Sequence, residues 1–275
     1  MSVRWAVFDE LRRPQENESR TWAGVTDWAS AIESLLGADR GALAQERASW
    51  DELLDRLGGD PTARDWTSFL PLRRDREEDW SDWLAQLLED STTGRFAHAL
   101  LGASEGQSMS SYAQPSVHRE VPFEGCRADL VIEWADSSYT HIEVKVGDPH
   151  LAKTQGTAQK IATRFAHMAC RSDAVLLLPT QMNSWNSLRS EMSERVVHSL
   201  TWIDVARALR RALSHSTDES VQWRVWAHSF CGAVEQDLLG LRSGSDPEEW
   251  ARSLPFLQLR MAANLLSRED VTDAR

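Results

Sequence analysis

Lysine is nearly missing from this chain. Of the 30 Lys and Arg in 275 residues, only Lys145, Lys153 and Lys160 are lysines, and all three fall in one short window. A general drift toward arginine accounts for the scarcity but not for the clustering. Cysteine is scarce too: Cys126, Cys170 and Cys231 are widely spaced and form no CxxC pair. That argues against a disulfide framework or a structural zinc site and leaves them as expected small core residues. No run approaches the roughly 20 apolar residues of a membrane-spanning helix. The segment MSVRWAVFDELRRPQENES also lacks the apolar stretch of a signal peptide, so a cytoplasmic chain with no membrane partner is expected. Positive charge is in deficit, with a net charge of −12. A surface that coats polyanions at large is therefore not expected, because such binding is carried by Lys and Arg against phosphates. The deficit is concentrated in residues 1–90, where 20 acidic residues face 11 Arg. HExxH and a glycine-rich phosphate loop are absent as well, so neither a zincin nor ATP use is indicated. No internal repeat or low-complexity tract is present.

What is present divides into three zones. Residues 1–70 read as an N-terminal helical region, with DWASAIESLL and ASWDELLDRL carrying apolar residues at helical spacing, separated by Gly and Asp punctuation. Residues 71–206 open with a helix, REEDWSDWLAQLLED, and a Ser-rich loop near 104–116. Three short β-favouring runs follow, SVHREVPF, CRADLVIEW and THIEVKV. A helix is predicted from Asp148, as N-cap with Pro149 at its first position, to about Cys170. DAVLLLP then reads as a fully apolar strand stopped by Pro179. Residues 207–275 form a C-terminal helical extension, including VQWRVWAHSFCGAVEQDLLGL and PEEWARSLPFLQLRMAANLL. The class is α/β with mixed α+β character, a central mixed sheet flanked by helices, and the extensions can pack as one domain with the core. Most of the 13 Trp fall at helical spacing with other apolar residues and are expected in the core rather than as base-stacking platforms.

The chemistry emerges when these elements are set against each other. A hairpin centred near Asp136 places Asp129 opposite Glu143, with both side chains on one face and about 5 Å apart. Alternation puts Lys145 on that face too, and turns Ile142, Val144 and Val146 to the other. Opposed carboxylates repel unless a cation lies between them; a divalent metal and Lys145 are the two candidates. Glu-x-Lys alone is a common pattern on solvated strands. Here its neighbours LVIEW and DAVLLLP are nearly continuous apolar runs, typical of strands covered on both faces, where a charge must be paired or metal-bound.

A further carboxylate comes from the upstream helix. One turn before Trp80 on the stripe Trp80, Leu84, Leu87, Leu88 lies Glu77, which either faces the core or serves as a helix-start acid favoured by the dipole; Glu78 falls off the stripe. On the downstream helix Gln155 lies with Leu151, Ala158, Ala162 and Phe165 on the buried stripe, either as a site residue or as an ordinary buried amide, with Gln159 at its edge. Lys153 and Lys160 are either phosphate contacts or a solvated face. His141 lies on the site face, as a surface residue or a ligand.

This succession, Glu77 on a helix, RADLVIEW with Asp129, HIEVKV with Glu143 and Lys145, then a helix with Gln155, resembles the PD-(D/E)XK nuclease superfamily with its restriction-endonuclease-like fold. The match covers roughly residues 71–206, about half the chain, and departs where the usual Pro before the first Asp is Ala128. The resemblance implies a Mg²⁺- or Mn²⁺-dependent nuclease acting on nucleic acid, with DNA as the expected substrate, in bacterial defence or restriction. In it Asp129 and Glu143 would bind the metal with the Val144 carbonyl, and Glu77 would assist directly or through water. Lys145 would orient or activate water, and Gln155 would place the scissile strand or Lys145. A noncatalytic or partner-gated assembly subunit that keeps the fold is the alternative, with a protein partner or a second copy docking on the helical ends. Lysine suits position 145 because its ammonium is compact and its pKa moves on burial, whereas Arg stays protonated.

Overall fold

The computed structural model describes residues 22–66, 76–101, 114–147, 152–191 and 197–267. Most of the expected Ser-rich loop, and the expected helix start at Asp148 and Pro149, lie outside the described residues. So does Leu151.

The first helix of the described residues is a long one, α1 (Trp22–Leu53), where two helices were expected. Gly37 and Gly41 face open space, with room for a side chain; an isolated glycine costs a helix only about 1 kcal/mol relative to Ala, too little to break it. Next come α2 (Glu77–Asp90) and a short α3 (Arg95–Leu101), the latter unanticipated. Three strands follow, β1 (Ser116–Phe123), β2 (Cys126–Glu133) and β3 (Ser138–Val144), within one or two residues of their predicted bounds. The helix α4 (Ala152–Arg164) stops short of the predicted Cys170, because that residue already belongs to β4 (Ala169–Leu177). Two elements were missed, α5 (Met182–Glu191) and β5 (Val197–Thr201). The helical end comprises α6 (Trp202–Ser214), α7 (Val221–Ala233) with a π turn at Val234–Leu238, α8 (Pro247–Ser253) and α9 (Phe256–Leu266). The last two read as one helix in the sequence. Pro255 separates them, since proline removes a backbone donor and disfavours helical geometry in the residue before it.

The five strands form one mixed sheet in the order β1-β2-β3-β4-β5. The pairs β1–β2 and β2–β3 are antiparallel, whereas β3–β4 and β4–β5 are parallel. Parallel neighbours need a crossover, and α4 and α5 supply the two. Five mixed strands flanked by nine helices among the described residues make this an α/β fold with helical extensions.

One face of the sheet, with Leu130, Ile132, Ile142, Val144 and Leu176, packs into the main core together with Trp50 of α1, Leu84 of α2, Trp202 of α6 and Leu265 of α9. The other face packs Val131 and Tyr139 against Ile161 and Phe165 of α4. Trp80 and Trp202 are buried and meet edge to face at 5.7 Å. Of the cysteines only Cys231 is buried; Cys126 is half-buried and Cys170 exposed, which corrects the expectation of three core residues. Among the described residues no helix is long and apolar enough to cross a membrane.

Candidate active site

The hairpin sets the site. Pairs Leu130↔Ile142, Val131↔His141, Ile132↔Thr140 and Glu133↔Tyr139 fix a register that, continued one step, brings Asp129 opposite Glu143. The turn that fixes it is local. Ser137 takes a left-handed φ of 59°, and the Asp136 carboxylate accepts the Ser138 amide at 3.1 Å, an Asx turn.

Beyond Leu130 the β2–β3 ladder opens, and the Asp129 side chain takes the place of the next backbone acceptor: the Val144 amide donates to Asp129 Oδ2 at 2.8 Å. The N–H and C=O of one strand residue point to the same side, so the Val144 carbonyl also lies on the Asp129 side. Opposite Asp129 on β1 stands Glu120, with φ 50°, a conformation that costs a non-glycine residue on the order of 1 kcal/mol and recurs at functional sites.

Lys145, just past β3, is pinned through its backbone. Its amide donates to the Leu176 carbonyl at 2.8 Å, and its own carbonyl accepts from Trp202 Nε1 at 3.2 Å. Its ammonium points back into the site, 3.0 Å from Glu77 Oε1 and 3.3 Å from Glu143 Oε1. Glu77, the first residue of α2, also accepts the Val146 amide through Oε2 at 2.9 Å, so it clamps the end of β3 to α2. The two earlier readings of Glu77 thus merge, a helix-start carboxylate that faces the site.

These side chains line one cavity of about 280 Å³, walled by Glu77, Glu78, Ser81, Arg127, Asp129, Glu143 and Lys145. Burial and the neighbouring Glu143 push the Asp129 carboxyl up to about 6, partly offset by the Val144 amide. Burial acts to lower the Lys145 ammonium, but Glu143 and Glu77 outweigh it and hold it above its ordinary value. Lys145 is therefore a cation at neutral pH rather than a free base.

The structure gathers four of the five expected site residues and leaves out the fifth. Gln155 is half-buried on α4 and is not among the cavity's walls. The buried stripe of α4 runs through Thr154, Thr157, Ala158, Ile161 and Phe165, with Ala162 half-buried and Gln159 exposed, so the stripe is rotated from the predicted one. Lys153 is exposed, and Lys160 donates to the Glu124 carbonyl at 3.0 Å. His141, expected at the surface or as a ligand, is completely buried.

Three wall residues were missed. Ser81 lies one turn after Glu77 on α2, a helical spacing that could have found it. Arg127 lies two residues before Asp129, the period of a strand; at the mouth it sits 3.3 Å from Glu120 and 3.9 Å from Glu78. Glu78, set aside as off the stripe, is half-exposed at that same rim.

Among the described residues no group of three or more His, Cys, Asp or Glu is gathered to hold a metal ion. The donors that bear on a cation are two. Asp129 and Glu143 are hard oxygen donors on opposed strand positions, and Glu143 Oε2 is a buried carboxylate oxygen with no hydrogen-bond partner. That set fits Mg²⁺, which is commonly held by one or two carboxylates with waters and substrate phosphate completing its shell. Glu77 is engaged by Lys145 and Val146 and fits an assisting role better than a ligand's. No family model, no curated protein and no solved structure matches this chain.

Proposed function

We propose that the chain is a metal-dependent phosphodiesterase acting on nucleic acid, in the manner of the PD-(D/E)XK nucleases that its strand–strand–helix succession resembles, with DNA as the favoured substrate and defence or restriction as the setting. One observation carries the reading: opposed Asp129 and Glu143, with Lys145 beside them, wall a single open cavity. Asp129 and Glu143 would hold Mg²⁺ or Mn²⁺, with the Val144 carbonyl on the same side of the strand. When bound, such an ion lowers the pKa of its water and draws charge from a phosphoryl oxygen.

The chain's own residues supply the rest. Lys145, held as a cation, offsets charge on the phosphate and can donate a hydrogen bond to the attacking water. Glu77 orients that ammonium and fixes Val146. Arg127 places the cavity's second cation at the mouth, where a phosphate enters. The supply of protein donors suits a hard cation that keeps several waters.

A second reading has an observation of its own. Lys145 is satisfied by Glu77 and Glu143 without any ligand, as an internal ion pair in a noncatalytic or partner-gated subunit would be. Cleavage assays separate the two. Asp129→Ala and Lys145→Ala are each expected to lower Mg²⁺-dependent cleavage of single-stranded, duplex or branched nucleic acid by at least about 100-fold, the scale of losing one electrostatic group at a reacting centre. Undiminished cleavage by both variants would overturn the nuclease reading. A wild-type chain silent on all substrates, alone and with a co-purified partner, would favour the scaffold.

A further inference from the structure

Behind the cavity lies a second, closed set of titratable groups that the proposed chemistry does not use. His141 and Asp173 are direct register partners across the parallel β3–β4 pair. They are 0 % and 3 % exposed. His141 Nδ1 is 3.3 Å from Asp173 Oδ1, and Nε2 on the far side of the ring is 3.8 Å from Glu143 Oε2. Two residues along β3 from Glu143, His141 points to the same face by strand alternation. The ring thus sits between Asp173 of the neighbouring strand and Glu143 of its own, which lines the cavity.

Burying an imidazole with a carboxylate against each nitrogen is costly unless both contacts are used. An apolar residue would fill that space at lower cost, as Val131 does at the paired position on β2. Glu143 is the residue that gains. Its Oε1 accepts from Lys145, and its Oε2, buried and without a hydrogen-bond partner, lies 3.8 Å from His141 Nε2, which also makes no hydrogen bond, so the ring is the nitrogen group beside that oxygen. A long carboxylate otherwise has three soft torsions and would swing to follow Lys145.

We infer that His141, anchored by Asp173, is a positioning residue that fixes the rotation of the Glu143 carboxylate so that it presents to the cavity opposite Asp129. The inference rests on the reading of Glu143 as a metal ligand. Groups behind a ligating residue hold its orientation, and their loss characteristically lowers metal affinity 10- to 100-fold.

The test uses the full chain and Mn²⁺ alone, followed by calorimetry, with thermal unfolding as the control for folding. The amide of Asn superposes on the Nδ1 side of histidine, and that of Gln reaches the Nε2 side. His141→Asn keeps the contact to Asp173 and loses the one to Glu143, and is expected to weaken Mn²⁺ binding 10- to 100-fold. His141→Gln keeps a donor toward Glu143 and is expected to bind within a few-fold of wild type. A purely structural role would not separate two uncharged amides in this order. Equal affinities for Asn, Gln and wild type, or a Gln variant as weak as Asn, overturn the inference. Should either histidine variant fail to fold, Asp173→Asn decides. Several-fold weaker binding is expected, and unchanged binding overturns the inference. A wild-type chain that binds no Mn²⁺ instead overturns the metal-site reading, and this inference with it.

Discussion

Arg210 and Lys145 are both cations held between acidic side chains, yet the two clusters are closed to different degrees. Arg210, completely buried, donates to Asp60 at 2.6 Å and to Glu235 at 2.6 and 2.9 Å. Arg47, 3.8 Å from Asp60, is the second guanidinium of the knot. Two guanidinium groups answer two carboxylates, no face opens to solvent, and the knot ties α1, α6, α7 and the short turn at 61–63 together. At the cavity, Lys145 is the ammonium set among Glu77, Glu143 and Asp129, Arg127 at the mouth is drawn to Glu120 and Glu78, and the group is open. Charge balance marks the first as structure. A surplus of carboxylate facing a cavity is what supports the proposed cation site at the second, because like charges at a shared site are tolerated only with a counter-ion.

The comparison breaks most visibly at Arg210. Arg210→Met strands Asp60 and Glu235 in the core and is expected to cost about 3–5 kcal/mol by denaturant unfolding, the scale for removing one partner of a buried pair. A loss below about 1 kcal/mol would show that the knot is not the fixed structural element described.

Asp129→Asn should do the reverse. A carboxyl held near 6 in the fold but near the ordinary value of about 3.9 in the unfolded chain stays protonated longer when folded, so stability falls as pH rises from about 4 to about 6. Above that window the charged form costs on the order of 2 kcal/mol. The Asn variant is therefore expected to be more stable than wild type at pH 7, with the difference vanishing below about pH 4. Saturating Mn²⁺ should raise the melting temperature of wild type and leave that of the variant unmoved. Identical stability at both pH values would remove the like-charge repulsion from the account of the site.

The smallest effect is expected at the rim. Glu78→Gln alters a half-exposed carboxylate 3.9 Å from Arg127 and should change stability by less than about 0.5 kcal/mol, as exposed ion pairs do. A larger change would mean that the mouth of the cavity is as tightly built as its floor.

Legibility followed the range of the interactions. The hairpin register was readable because a turn fixes it locally: Asp136 and Ser137 are enough to set Asp129 against Glu143. The stripe through Trp80 placed Glu77 for the same reason. The α1 break was misread because Gly and Asp punctuation is weak beside the packing of Leu43, Trp50 and Leu54. β5 was invisible because a parallel strand is specified by the sheet it joins rather than by its own VHSLT. Gln155 was misplaced by a rotation of the α4 stripe, which a helix alone does not fix and the sheet beneath it does.

Sequence by itself determined the sheet-forming middle, the carboxylate pair and the lysine beside it, because these depend on alternation and on a tight turn. Tertiary structure alone decided what surrounds them. Asp173 meets His141 through parallel pairing of segments over thirty residues apart, Glu77 reaches Val146 across from another layer, and Arg210 finds Asp60 and Glu235 from distant helices. No local pattern encodes such meetings, since each partner is brought in only by packing of the whole chain.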